Sequence, residues 1–281
     1  MTYNNYLFNY CKSNAFISRL VKLAKGASYP AVSNLEVKNS KIPLPPLETQ
    51  KQIAKTLDTA AELLAMRKQQ LAELDNLIKS IFCDMFGDPI TNTKHWKLVK
   101  FGDIGKLNSG GTPTRTNPNY FLGDIDWYSA GELNERYLNE SKEKLTIEAL
   151  KNSSAKVFKN GTMLIGMYDT AAFKLGILTK NSSSNQACAN IEVKKDLVNI
   201  EWLYDCAQIM RPLFLKNRRG VRQKNLNLGM IKNLEIPMPP LPLQNQFASI
   251  VTKIEEQKTL VKKAIDETQY LFDCLMSEYF E

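Results

Sequence analysis

The residues best suited to meet a polyanion lie close together. From Cys206 to Leu234 there is no acidic residue, while Arg211, Lys216, Arg218, Arg219, Arg222, Lys224 and Lys232 supply seven positive charges. Such groups neutralise backbone phosphates, and the guanidinium fork also matches the paired acceptors on the major-groove edge of guanine. Arg218, Arg219, Arg222 and Lys224 of this run, with Arg115 outside it, are the candidate phosphate or guanine contacts. Side-chain amides pair bidentately with adenine, which adds Gln186 and Gln223. The formal net charge of +8 agrees with a polyanionic partner. The competing reading of the basic run is a solvated face, or one that meets a ribosome or a membrane surface. For Gln186 it is a buried amide that satisfies backbone groups.

Groups for covalent chemistry are sparse. His95 is the single histidine, in Asn92-Thr93-Lys94-His95-Trp96. A Ser-His-Asp or Cys-His relay would have to run through it, and a linker histidine beside a packed Trp96 is its expected role. A histidine-rich metal site is ruled out by composition, whereas a carboxylate-only Mg²⁺ site stays open. The chain has no GxxxxGK(S/T) and no strand-linked GxGxxG to cradle a nucleotide phosphate. Gly110-Gly111 leads into Thr112-Pro113, which blocks the helix start such a cradle needs. That segment is read either as a structural turn or as a DNA contact, with the turn preferred. Asn117-Pro118-Asn119-Tyr120 departs at its third residue from the Asn-Pro-Pro-Tyr with which amino-methyltransferases hold a flipped base. It is read as a turn followed by a packed aromatic. Cys11, Cys83, Cys188, Cys206 and Cys274 are odd in number and lack a CxxC pair. Buried free thiols in a reducing compartment are expected, not disulfides or a zinc ribbon.

An internal repeat organises the elements that must hold these groups. Ile42-Pro43-Leu44-Pro45-Pro46-Leu47 with Gln50 recurs as Ile236-Pro237-Met238-Pro239-Pro240-Leu241 with Gln244, at a constant offset of 194 residues. Gly26 and Val37 match Gly220 and Ile231 at that offset, and Tyr6-Leu7-Phe8 resembles Trp202-Leu203-Tyr204 once two residues are inserted or deleted. A proline cluster keeps the chain extended, so a helix begins only after it. After the first cluster Ile53, Leu57, Ala60, Leu64, Leu71, Leu74, Ile78, Ile81 and Met85 make one helical stripe. After the second, Ile250, Ile254, Gln257, Val261, Ile265, Thr268, Leu271, Leu275 and Tyr279 do the same. Each helix is expected to run about 35 to 38 residues, or about 55 Å, with Gly87-Asp88-Pro89 ending the first. Helices this long need a partner, and the two are expected to pair with each other as an antiparallel coiled coil.

Between them, short strands are predicted at 162–168, 176–179 and 189–193, and helices at 146–152 and 200–216. The fold class is α+β, with one mixed α/β domain flanked by two long helices. The hydrophobic share of 43%, with no window near the roughly 18 to 20 apolar residues of a bilayer span, fits a soluble chain with no membrane partner. The opening residues lack the layout of a secretory signal, so a cytoplasmic location is expected.

The ordered combination resembles the specificity subunit of type I restriction–modification enzymes. The carrying residues are Ile42 to Gln50 with Ile53-Ala54, Ser80 to Pro89, Trp96, Gly110 to Arg115, Tyr120, Gly123 to Trp127, Asn185-Gln186, and the second proline cluster with its helix. The resemblance implies two tandem target-recognition domains, each reading half of a bipartite site in double-stranded DNA. Each is followed by a helix that sets spacing and docks methyltransferase subunits. It further implies that restriction subunits join the complex and that S-adenosylmethionine, ATP and Mg²⁺ belong to those partners, with no catalytic residue, metal or cofactor held by this chain. Residues 1–41 match only 200–235. The expected organisation is thus a remnant of a first recognition domain at 1–41, a proline cluster plus long helix at 42–89, a recognition domain at 90–235, and a second cluster plus helix at 236–281. Self-association through the long helices would rebuild a two-domain reader from a truncated form. A silent or regulatory fragment, acting as a protein-binding adaptor without reading DNA, is the alternative.

Overall fold

The computed structural model describes residues 1–26, 28–218 and 225–281. They divide into two compact units, Met1–Asn76 with Ile254–Glu281 and Leu77–Lys253. The first unit opens with α1 (Asn4–Cys11), α2 (Asn14–Leu23) and α3 (Asn34–Lys38). The Ser13 hydroxyl caps α2 by accepting from the Phe16 amide, and Ser33 and Glu36 form a reciprocal capping box on α3. The proline cluster then carries the chain to α4 (Leu47–Phe86), whose first turn is closed by the Gln50 amide donating to the Pro46 carbonyl at 3.0 Å.

In the second unit α4 ends where Gly87 turns into the left-handed region at φ 77° while its amide still bonds Cys83 O. Next come β1 (Lys97–Lys100), α5 (Phe101–Ile104), β2 (Gly105–Ser109), β3 (Ile125–Tyr128), β4 (Tyr137–Leu138) and β5 (Glu143–Leu145). After α6 (Ile147–Lys151) follow β6 (Val157–Phe158), β7 (Met163–Gly166), β8 (Leu175–Leu178), β9 (Ser182–Ser184) and β10 (Cys188–Val193). The unit closes with α7 (Ile200–Phe214), α8 (Leu228–Lys232), β11 (Glu235–Met238) and the start of α9 (Leu241–Phe280). The strands form a five-stranded sheet in the order β2-β10-β7-β8-β4, a four-stranded sheet β5-β3-β9-β6 and a two-stranded sheet β1-β11. Pairing is antiparallel except at β3–β9 and β4–β8. The strands β7 and β8 are buried along their whole length, which is why they read as unbroken apolar runs and not as alternation. Trp202, Leu203, Cys206, Ala207, Met210 and Phe214 of α7 are buried.

The long helices run antiparallel in both units. In the first, Ala54 and Leu57 share a cluster with Met276 and Phe280, Arg67 donates to Ala264 O and Thr268 Oγ1, and Lys258 pairs with Asp75 at 2.7 Å. In the second, Phe82 and Phe86 each meet Phe247 edge-on, with centroids 5.4 and 5.5 Å apart. Each helix is 40 residues long, slightly more than expected, because it starts directly on the leucine after its prolines. The expected stripe faces inward along most of its length, Ile78 being buried and Leu275 and Tyr279 packed against the cluster of the first unit. Gln257 and Leu271 are exposed, and Phe82, Phe86, Phe272, Met276 and Phe280 widen the inward face. A straight helix drifts about 20° per heptad, so the covered face spreads to neighbouring residues over so many turns. The cysteines are free as expected, but Cys11, Cys83 and Cys274 are exposed and only Cys188 and Cys206 are buried.

The repeat extends to hydrogen bonding. Gln50 is buried, its Nε2 donating to Pro45 O at 2.7 Å while its Oε1 accepts from the Tyr3 amide at 2.9 Å. Gln244 is buried too, donating to Pro239 O at 2.8 Å and accepting from the Asn199 amide at 2.9 Å. Tyr3 and Asn199 are the N-caps of α1 and α7. One glutamine thus ties the proline cluster, the start of the long helix and the start of a second helix at each repeat.

Candidate nucleic-acid interface

Arg115 lies in the turn between β2 and β3. Its guanidinium forks onto both carboxylate oxygens of Glu143, the Nη2–Oε2 distance being 2.8 Å. It also covers the Phe121 and Trp127 rings, 4.2 and 5.3 Å from their centroids. Trp127 and Glu143 are direct cross-strand partners of β3 and β5, so the sheet register builds the seat. Hydrogen bonding to Arg115 holds the Glu143 carboxyl below its usual range. The arginine side chain is 57% exposed, so the pair is worth about 0–1 kcal/mol in stability and chiefly fixes the fork's direction.

Gly110 and Gly111 reach the same neighbourhood. Their amides donate to Cys188 O at 3.1 Å and Ser184 O at 2.9 Å, and the Trp127 indole donates to Gly111 O at 2.9 Å. A Cβ on Gly110 would stand 2.2 Å from Ser184 O, and one on Gly111 2.4 Å from the Ser154 carbonyl carbon. Both glycines are buried, and the geometry favours the structural turn. The next residue, Thr112, hydrogen-bonds through its hydroxyl to Gln186 Oε1. Gln186 is exposed, so the buried-amide alternative does not hold. An amide steadied through one oxygen lone pair keeps a second lone pair and two N–H donors.

The basic run is less uniform than its composition. Arg218 caps a short 3₁₀ turn through Nε to Leu215 O at 3.1 Å and lines a 620 Å³ pocket with Lys216, Asn227 and Asn233. Arg211 is a brace, donating to Phe173 O at 3.1 Å and Ala172 O at 3.3 Å. It pins the β7–β8 loop, where Asp169 and Phe173 hold positive φ angles of 48° and 56°. Arg219, Arg222, Gln223 and Lys224 lie outside the described residues.

Sequence reasoning missed two charge networks. Asp126 is buried on β3, where its Oδ1 accepts from the Ser141 amide and hydroxyl and its Oδ2 pairs with Lys180 at 2.6 Å. Burial pushes this carboxyl up, but Lys180 and Ser141 outweigh it and hold the group below its ordinary value. Arg136, next to β4, pairs with Glu201 at 3.2 Å and Asp205 at 2.5 Å on α7 and stacks 4.3 Å from the Tyr204 ring centroid. The spacing of Glu201 and Asp205, four residues apart on one helix face, was a usable signal. Nothing local marked Glu143 as the mate of Arg115.

Comparison with known proteins gives one consistent result. The family model described as "Type I restriction modification DNA specificity domain" matches residues 2–76 and 93–269. The MjaIX specificity subunit of Methanocaldococcus jannaschii is 28% identical over 171 residues, covering 58% of this chain and 38% of that protein. The MjaVIII specificity subunit of the same organism is 24% identical over 282 residues, covering 90% of this chain and 64% of that protein. The chain thus spans less than two thirds of the length of either relative. The crystal structure of a type I restriction–modification S subunit from M. genitalium superposes with a TM-score of 0.64 at 15% identity, over 99% of this chain and 72% of that one.

Proposed function

The chain belongs to the family of type I restriction modification DNA specificity domains, and on that premise we propose that it reads DNA for a type I restriction–modification assembly without catalysing a step. Residues 90–235 serve as the target-recognition domain and face one half-site. Arg115, Gln186 and Arg218 contact the duplex, and Arg219, Arg222, Gln223 and Lys224 are further contacts that their chemistry suggests. Helices α4 and α9 are the docking elements for methyltransferase and restriction subunits, which bring S-adenosylmethionine, ATP and Mg²⁺. Self-association through these helices would supply a second reader for the other half-site.

The observation that carries this reading is the exposed guanidinium fork of Arg115, stacked on Phe121 and Trp127 and fixed by Glu143. Glu143 accepts two of the five guanidinium N–H groups, which leaves the others to meet acceptors on a base edge from a side chain already held in one direction. The test is titration of the whole chain with labelled duplex DNA, combined with an assay for transfer of labelled methyl groups by the chain alone. Salt-dependent binding without methyl transfer is expected. Methyl incorporation by the isolated chain would refute the non-catalytic assignment, and absence of DNA binding would favour the protein-binding adaptor.

A further inference from the structure

Four segments of the second unit meet at one end of its sheets. The β2–β3 turn arrives through the Gly110 and Gly111 amides, which donate to Cys188 O and Ser184 O. The β9–β10 turn carries Gln186, and its Ala187 carbonyl accepts from the Met167 amide at 2.9 Å. Met167 opens the β7–β8 loop, and its own carbonyl accepts from the Leu226 amide at 2.8 Å. The segment before α8 is bonded to that loop a second time by Asn225, whose Oδ1 accepts from the Asp169 amide at 3.0 Å. One chain of hydrogen bonds thus runs from the turn of Arg115, past Gln186, to Tyr168-Asp169-Thr170.

The tip of the β7–β8 loop is fixed in a backbone form that side chains rarely adopt. Asp169 and Phe173 stand in the left-handed region, which a residue with a Cβ holds only where its surroundings impose it. Here the Phe173 amide donates to Gly166 O at 2.8 Å, the Gly166 amide to Lys174 O at 2.8 Å and the Ala172 amide to Asp169 O at 3.0 Å. Arg211 holds the Ala172 and Phe173 carbonyls as well. Tyr168, Asp169 and Thr170 stay exposed at this braced tip. The Asp169 backbone is bonded at both its amide and its carbonyl, yet among the described residues its carboxylate has no hydrogen-bond or ion-pair partner. It is the one acidic side chain in the converging segments 110–116, 167–174, 185–187 and 225–227.

We propose that Asp169 is a base-reading residue that selects cytosine, its carboxylate accepting from the N4 amino group in the major groove. A carboxylate offers acceptors only. On a surface that meets phosphates it opposes any complex in which it finds no donor. The major-groove edges offer donors only at cytosine N4 and adenine N6. Adenine sets its N7 acceptor beside N6, against the carboxylate, whereas cytosine has no acceptor on its major-groove edge. Guanine N7 and O6 and thymine O4 are acceptors and repel it. One fixed group thus attracts one base and disfavours the others, which is how discrimination against wrong sites is built. The inference rests on reading this chain as a DNA-binding subunit and adds to that reading a residue and the base it selects.

The test is selection of duplexes from a random-sequence pool by the whole chain, by D169N and by D169A, followed by competition titrations on single-base variants of the selected duplex. Asn tolerates the left-handed backbone as Asp does, so D169N keeps the loop while supplying the donor and acceptor that suit adenine. The unmodified chain is expected to enrich a cytosine at one position and to bind it about tenfold more tightly than the other bases there. At that position D169N is expected to favour adenine and D169A to lose the preference, while both keep the rest of the pattern. An unchanged pattern in both variants overturns this assignment alone. So does tighter binding of both variants to every sequence alike, which marks a carboxylate that only repels phosphates. Absence of DNA binding by the unmodified chain overturns the DNA-reading function and this assignment with it.

Discussion

At the scale of residues, Arg115 and Gln186, the two proposed reading groups, are alike in that each is steadied by a neighbour that leaves part of its hydrogen-bonding capacity free. Replacing Arg115 or Gln186 by Ala should relax base preference at one position of a half-site and cost about 1 to 3 kcal/mol of discrimination, measured by competition between single-base variants of a bound duplex. Gly111 belongs to the support. The G111A variant should lose about 1 to 3 kcal/mol of stability in urea melts, since its Cβ would press on the Ser154 backbone. Asp126 adds a pH signature. Its carboxyl titrates below the ordinary 3.8, so its contribution is complete above that value and is lost as pH falls through the folded pKa. The K180M variant should therefore be less stable by about 1 to 3 kcal/mol at neutral pH. The gap from the unmodified protein should narrow below pH 3.8.

At the scale of elements, the glutamine that anchors each long helix is the clearest device. Gln50 and Gln244 each satisfy a proline-cluster carbonyl and the N-cap amide of another helix from a buried position. Q50L and Q244L should each cost about 2 to 4 kcal/mol, because the partners are left buried and unpaired; calorimetry or denaturant melts will show it. The repeat was legible in the sequence because prolines and a following glutamine recur at fixed spacing, and both long helices were legible from their stripes. The further inward residues Phe82 and Phe272 were not, because periodicity marks a stripe but not the width of the face that a partner covers. The predicted helices at 146–152 and 200–216 correspond to α6 and to α7 with its 3₁₀ extension. Contacts such as Arg115–Glu143, 28 residues apart, and Arg136–Asp205, 69 apart, depend on sheet register, which no local pattern encodes.

At the scale of the whole molecule, the proposed function assigns DNA recognition to side chains of residues 90–235 and assembly to the two long helices. Arg218 and its basic neighbours should contribute mainly salt-sensitive affinity, whereas Arg115 and Gln186 should contribute sequence preference. The most direct measurement is selection of duplexes from a random-sequence pool by the purified chain, with affinity followed as salt rises from about 50 to about 200 mM. The account predicts saturable binding that weakens roughly a hundredfold over that range, together with enrichment of one short half-site pattern that is lost in R115A and Q186A. Binding that is insensitive to salt, or a pool that emerges with no enriched pattern, would contradict it.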